Sequence, residues 1–174
     1  MFGDRERALL ITETAAFAGL IAAGSWISIP FFPVPFTLQT LFVLLAGAVM
    51  RRFAVYPVAL YLVAGSLGMP VFHGGTAGIG VLLGPTGGYL AGFLPAAAVA
   101  GLGYGGDSEI RRITALIGAT AVIYSFGVAW LALSGPLPWE EAILLGVLPF
   151  LPGDAVKLAA AHTIAARIIP EHPP

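Results

Sequence analysis

Apolar positions run along this chain in long blocks, not in the alternating or two-sided patterns of a water-soluble fold. No charged residue lies between Glu13 and Arg51, between Arg52 and Asp107, or between Arg112 and Glu140. A helix that crosses a bilayer needs about 20 apolar residues, with a working range of about 17–25, and chain breakers cut the blocks to near that length. Ala8 to Ile29 is the first stretch, closed by Pro30, Pro33 and Pro35, because proline cannot continue a helix and pushes its predecessor out of the helical region. Phe36 to Met50 is a second, shorter stretch, and Phe53 to about Ser66 a third. Leu67 to Gly87 holds too much glycine and proline for a helix interior and reads as a long loop. Gly88 to about Tyr104 and Ile113 to Leu133 are the fourth and fifth. Past Pro136 and Pro138 a short apolar run is interrupted at Pro149, Pro152 and Gly153, and Asp154 to Ile169 makes the sixth. The pattern predicts an all-α membrane protein with six transmembrane helices, a single domain over residues 1–174.

Composition agrees. The chain is 58% apolar and 10% charged, against roughly 45–50% and about 25% in an ordinary soluble domain. A small soluble domain keeps much of its surface wet and could not hide so much apolar chain. A net charge of −1 offers no field for nucleic acid, and a disordered solvating segment would be polar. With no cysteine there is no disulfide, thiolate metal site or cysteine nucleophile. The basic start MFGDRERALL precedes an apolar stretch far longer than a signal-peptide core, so it is expected to remain as the first span.

The bases test the span count. Arg5 and Arg7 precede span one, Arg51 and Arg52 join spans two and three, Arg111 and Arg112 join spans four and five, and Arg167 ends span six. In a six-span arrangement all seven fall on one side, which the positive-inside rule makes cytoplasmic, with both termini inside. Trp26, Trp130 and Trp139 fall near the opposite interface, where indole rings prefer to sit.

The eighth base, Lys157, lies within span six, three residues after Asp154. At this spacing the two share a helix face. They could form a structural ion pair, or the lysine could snorkel. Ionisable groups inside a membrane are functional candidates by default, which favours a pair that binds a polar solute. The Gly68–Phe93 segment, GMPVFHGGTAGIGVLLGPTGGYLAGF, is too apolar for a solvated linker, and irregular backbone at membrane depth must be buried or line a cavity. It is a candidate lid. Gln39 and Thr37 open span two from the same side; a glutamine in hydrocarbon needs a partner, either a helix or a ligand. Span one carries small residues at helical spacing, including Ala15, Ala18, Gly19 and Ala22, a surface for close helix approach inside or outside the protein.

Other motifs fail. Gly101, Gly103 and Gly106 match a dinucleotide fingerprint but follow no strand, and no P-loop or nucleophile elbow is present. His73, His162 and His172 are too scattered for a metal site; His162 is expected to make a helix contact. No catalytic constellation, metal or cofactor is expected.

Four segments in order, PVPFTLQT (Pro33–Thr40), GMPVF (Gly68–Phe72), GPTGGYLAGF (Gly84–Phe93) and PFLPGDAVK (Pro149–Lys157), resemble the BioY family, the biotin-specific substrate-binding (S) components of energy-coupling-factor (ECF) transporters. The resemblance runs from about Thr12 to Ile168. It implies a six-helix S-component fold in the cell membrane that binds biotin near the outer face, under a lid made by the loops between spans one and two and between spans three and four. It implies that Asp154 accepts ureido N–H bonds and that Lys157 donates to the ureido carbonyl or the carboxylate. Gln39, Thr37 and Thr86 would be polar contacts, and Phe72, Tyr89 and loop backbone including Gly78 would cover the rings. Energy would come from a membrane coupling (T) protein and two cytoplasmic ATPase subunits, with Ala15, Ala18, Gly19 and Ala22 as the docking surface. Three alternatives stay open: an S component for another vitamin, a stand-alone carrier coupled to a proton gradient through Asp154, and, ranked last, a membrane enzyme acting on lipids.

Overall fold

The computed structural model describes residues 3–106, 108–135 and 137–169. Asp107, Pro136 and His172, named above, lie outside the described residues. The chain is built from helices α1 (Asp4–Trp26), α2 (Gln39–Met50), α3 (Val55–Ser66), α4 (Ile79–Leu83), α5 (Gly87–Gly103), α6 (Glu109–Ser134), α7 (Trp139–Gly146) and α8 (Leu151–Ile168). Between α1 and α2 the proline-rich segment folds into a two-stranded antiparallel ribbon, β1 (Ser28–Ile29) and β2 (Phe36–Thr37), with Ser28 opposite Thr37 and Ile29 opposite Phe36.

Each of the six apolar stretches contains a helix, and the two short helices α4 and α7 are additions that pattern reading left as irregular chain. Their runs are brief and glycine- or proline-flanked, so no helical period could develop. Two helices, α1 and α6, are long and apolar enough to cross a membrane, and up to four spans result if each bent pair counts as one. In those pairs α2 and α3 meet at 120° and α7 and α8 at 52°. With 12 residues each, α2 and α3 are only about 18 Å long, less than the ~30 Å hydrocarbon core. Charge also sits differently from expectation. Helix α1 starts at Asp4, so Arg5 and Arg7 lie within it, and α6 starts at Glu109, so Arg111 and Arg112 fall in its first turn. There the Arg111 guanidinium donates to the Leu102 carbonyl (2.9 Å) and Arg112 Nε to that of Gly106 (3.2 Å), satisfying acceptors that the end of α5 leaves open.

Helix α5 lies at the centre, packed against α6, α2 and α3. Small residues permit the close approach: a side chain at Gly47 of α2 would run into Ala100 and Ala97 of α5, and one at Gly88 or Gly92 of α5 would meet Trp130 and Phe126 of α6. Helix α8 packs on α2, and α1 on α3 and α2. The outward faces are as apolar as the interior. Ile11, Leu20, Ile117, Phe126 and Val156 are exposed while Ile21, Leu44, Leu116 and Ile123 are buried, the arrangement expected of a surface that meets lipid.

Candidate functional site

A cavity opens where α2, α6 and α8 converge beneath the connecting loops. Its wall is made by Val34, Pro35, Thr37, Gln39 and Thr40 from the ribbon and the start of α2, by His73 and Thr86 from the long loop, and by Tyr89, Leu90 and Phe93 of α5. Ile123 and Tyr124 of α6 and Phe150, Asp154 and Lys157 around the start of α8 complete it. Pro152 suits the first turn of α8, where its missing N–H costs nothing. Asp154 thus closes that turn, and Lys157 stands one turn further on the same face.

Asp154 and Lys157 form a buried ion pair, with Lys157 Nζ 2.7 Å from Asp154 Oδ1 and the side chains only 9% and 6% exposed. The ammonium also donates to Thr40 Oγ1 at 3.1 Å and lies 3.8 Å from the centre of the Phe36 ring. Two of its three N–H groups are thus matched by oxygen acceptors. Thr40 in turn donates to Asp154 Oδ1 at 3.3 Å, and the Tyr124 hydroxyl donates to Asp154 Oδ2. Such pairing is what burial requires, since an uncompensated buried charge costs several kcal/mol. The Phe36 ring reaches the lysine because Gly153 has no side chain to block it, and the ring stacks on Phe150 at 6.0 Å.

A second, uncharged cluster sits alongside. Gln39 donates through Nε2 to the Tyr61 hydroxyl, and Thr37 donates to Gln39 Oε1 at 3.1 Å. Tyr89 turns its hydroxyl away from the cavity to donate to the Gly146 carbonyl (2.8 Å), with its ring against Gly127. No buried side-chain N or O among the described residues lacks a hydrogen-bond partner.

Of the residues singled out in the sequence, Asp154, Lys157, Gln39, Thr37, Thr86 and Tyr89 meet on this wall. Phe72 does not. It is fully buried, its ring against Gly65 and edge-on to Tyr61 at 5.4 Å, where it backs the tyrosine that meets Gln39. Gly78 lies off the wall too; it adopts φ 94° and donates its N–H to the Gly65 carbonyl at 2.7 Å, holding the loop to the end of α3. The four small residues of α1 also divide: Ala15 and Gly19 are exposed, Ala18 is buried and Ala22 half-buried on the inward side. Pattern reading missed Thr40, Tyr124, Phe36 and Phe150. Phe36 and Thr40 lie in the PVPFTLQT segment, Phe150 in PFLPGDAVK, and Tyr124 is a hydroxyl within an uncharged span, so all four carried a readable signal.

The long loop is pinned at both ends. Trp26 donates through its indole N–H to the Pro70 carbonyl (3.0 Å) and Trp130 to that of Gly84 (2.9 Å). Ser25 Oγ lies 2.6 Å from the Val71 carbonyl oxygen. Between the pins, His73 is half-buried, and that burial lowers its pKa below the ordinary histidine value.

The sequence pattern of the BioY family matches residues 5–173. A probable biotin transporter BioY of Pyrococcus horikoshii is 43% identical over 159 residues, covering 91% of this chain and 94% of the relative. The biotin transporter BioY of Thermotoga maritima is 39% identical over 160 residues, covering 91% and 94%. Among solved structures, the S-component for biotin from an ECF-type ABC transporter superposes with a TM-score of 0.88 at 22% identity, covering 97% of this chain and 94% of that one. The two chains share a fold.

Proposed function

The chain belongs to the BioY family, and from this we propose that it binds biotin in the α2–α6–α8 cavity and delivers it across the cell membrane as the substrate-binding component of an ECF-type transporter. One observation carries the reading: a buried, hydrogen-bonded Asp154–Lys157 pair lies on a cavity wall beside uncharged donors and acceptors. Biotin matches that chemistry. Its ureido group has two N–H donors and one carbonyl acceptor, its thiophane ring is apolar, and its valerate ends in a carboxylate. Asp154 accepts ureido N–H, and Lys157 donates to the ureido carbonyl. Thr37, Gln39 and Thr86 add polar contacts, and the rings of Tyr89, Phe93 and Phe150 enclose the bicycle.

In this reading the chain makes six passes with both termini in the cytoplasm. Arg5, Arg7, Arg51, Arg52, Arg111, Arg112 and Arg167 then share the inner side, and the cavity under the loops faces outward. The solved S-component that this chain resembles comes from an ECF-type ABC transporter, and in this reading a membrane coupling protein and two cytoplasmic ATPase subunits supply the energy. Their docking surface runs along the outward face of α1 through Ala15 and Gly19, which are exposed, and leaves out Ala18 and Ala22.

Calorimetric titration of the purified chain in detergent with biotin tests the reading. Saturable one-to-one binding without partners is expected. Absence of heat from well-folded protein would refute biotin as the ligand.

A further inference from the structure

We propose that Tyr89 is a positioning residue: its hydroxyl holds the break between α7 and α8, and so sets the angle at which α8 carries Asp154 and Lys157 onto the cavity wall. The expected effect on affinity rests on the biotin reading above; the geometry does not.

The break leaves a carbonyl without its usual partner. Within a helix a carbonyl is satisfied by the N–H four residues on, or three in a tighter turn. For Gly146, the last residue of α7, those positions are Phe150 and Pro149. Proline has no N–H, and the Phe150 N–H goes to the Val147 carbonyl at 3.0 Å. Gly146 is buried, so water is a poor substitute, and buried backbone acceptors need a partner. The Tyr89 hydroxyl supplies it from α5, donating to the Gly146 carbonyl at 2.8 Å.

The surroundings are shaped for that bond. A side chain on Gly146 would come within 2.3 Å of the Tyr89 oxygen, and one on Gly127 of α6 within 2.3 Å of its ring. The tyrosine thus fills a slot between α6 and the end of α7 that two glycines leave open. Beyond the bond the chain turns by 52° into α8, and Phe150 and Asp154 are the next residues to reach the cavity wall. The partners of the ion pair stand on other helices, Thr40 on α2 and Tyr124 on α6. Hydrogen bonds tolerate little misalignment, so these contacts form only when α8 enters at the right angle. Helix α2 supports the side of α8, and the Tyr89 bond fixes the turn that leads into it.

The chain has no cysteine, so nitroxides at Ile143→Cys on α7 and Ala159→Cys on α8, both exposed positions, report the angle as a spin–spin distance. Tyr89→Phe keeps the ring on the wall and removes the donor. Calorimetric affinity for biotin is expected to fall about 3- to 10-fold. The distance distribution should broaden without ligand and narrow again when biotin saturates, because the ligand selects the aligned break. Gly146→Ala drives the hydroxyl off the carbonyl, and should weaken binding by a similar factor although Gly146 is not on the cavity wall. The double variant should bind no worse than either single one, since both break the same bond. A lower melting temperature with unchanged affinity and distances would overturn the proposal, leaving the bond a matter of stability alone. Weaker binding with an unchanged distance distribution would overturn it too, because the hydroxyl would then act on the ligand directly. Failure of the unmodified protein to bind biotin would refute the ligand assignment instead, and the ligand-free distances in Tyr89→Phe would still decide the positioning role.

Discussion

Helix α8 carries two polar clusters built from similar parts, and they differ in what surrounds them. Near its N-terminus Lys157 and Asp154 are paired with Thr40 and Tyr124, with the two charged side chains 6% and 9% exposed. Five residues on, His162 accepts or donates through Nδ1 to the Tyr104 hydroxyl (2.7 Å) and faces Glu109 at 3.4 Å, with side chains 20% and 76% exposed. The first cluster is sealed from solvent, so each partner is indispensable to the others. The second opens to water, where an ion pair contributes little because solvent screens it and side-chain ordering offsets the gain. Similar residues on one helix thus make a buried ion pair on a cavity wall at one end and an exposed helix contact further along.

Removing Lys157 should widen that contrast most. Lys157→Ala leaves a buried carboxylate without its cation, and biotin binding is expected to fall at least ~10-fold with a clear loss of thermal stability. The double variant Asp154→Asn/Lys157→Met removes both charges; melting temperature should recover while calorimetric affinity does not. Recovery of both would mean the pair is structural. Tyr124→Phe strips one donor from Asp154 Oδ2, and a loss of about 3- to 10-fold is expected by titration. Tyr61→Phe deletes the acceptor for Gln39 Nε2 but keeps the ring that meets Phe72. Its effect should be smaller, and in a double-mutant cycle with Gln39→Ala it should be non-additive, because the tyrosine acts through the glutamine. Glu109→Gln at the second cluster is expected to change biotin affinity less than about twofold, as befits an exposed pair. A larger change there would show that the two ends of α8 are coupled.

Much of this was legible in the sequence, for reasons that individual residues make plain. Charge inside an apolar run is conspicuous, so Asp154 and Lys157 stood out, and prolines marked the ends of α1 and the start of α8. Helical spacing showed that Ala15, Ala18, Gly19 and Ala22 lie near one another on α1. It could not tell which of them face the protein, because in a helix apolar on all sides the inward face has no compositional mark. Phe72 sits off the cavity wall for a different reason. A loop's path is set by distant anchors such as Ser25, Trp26 and Gly65, and these turn the ring toward Tyr61. Tyr124 and Thr40 meet Asp154 only because three helices converge, which is tertiary information.

The two indole N–H bonds that pin the long loop give the protein a built-in optical reporter. Trp26 grips one end at Pro70 and Trp130 the other at Gly84, and the cavity-facing His73 and Thr86 lie on or beside the segment they hold. Any rearrangement of that segment when a ligand arrives must stretch or release an indole hydrogen bond, and tryptophan emission responds to such a change. Loop movement can therefore be followed by fluorescence without an attached dye, and Trp130→Phe would show which of the two ends yields.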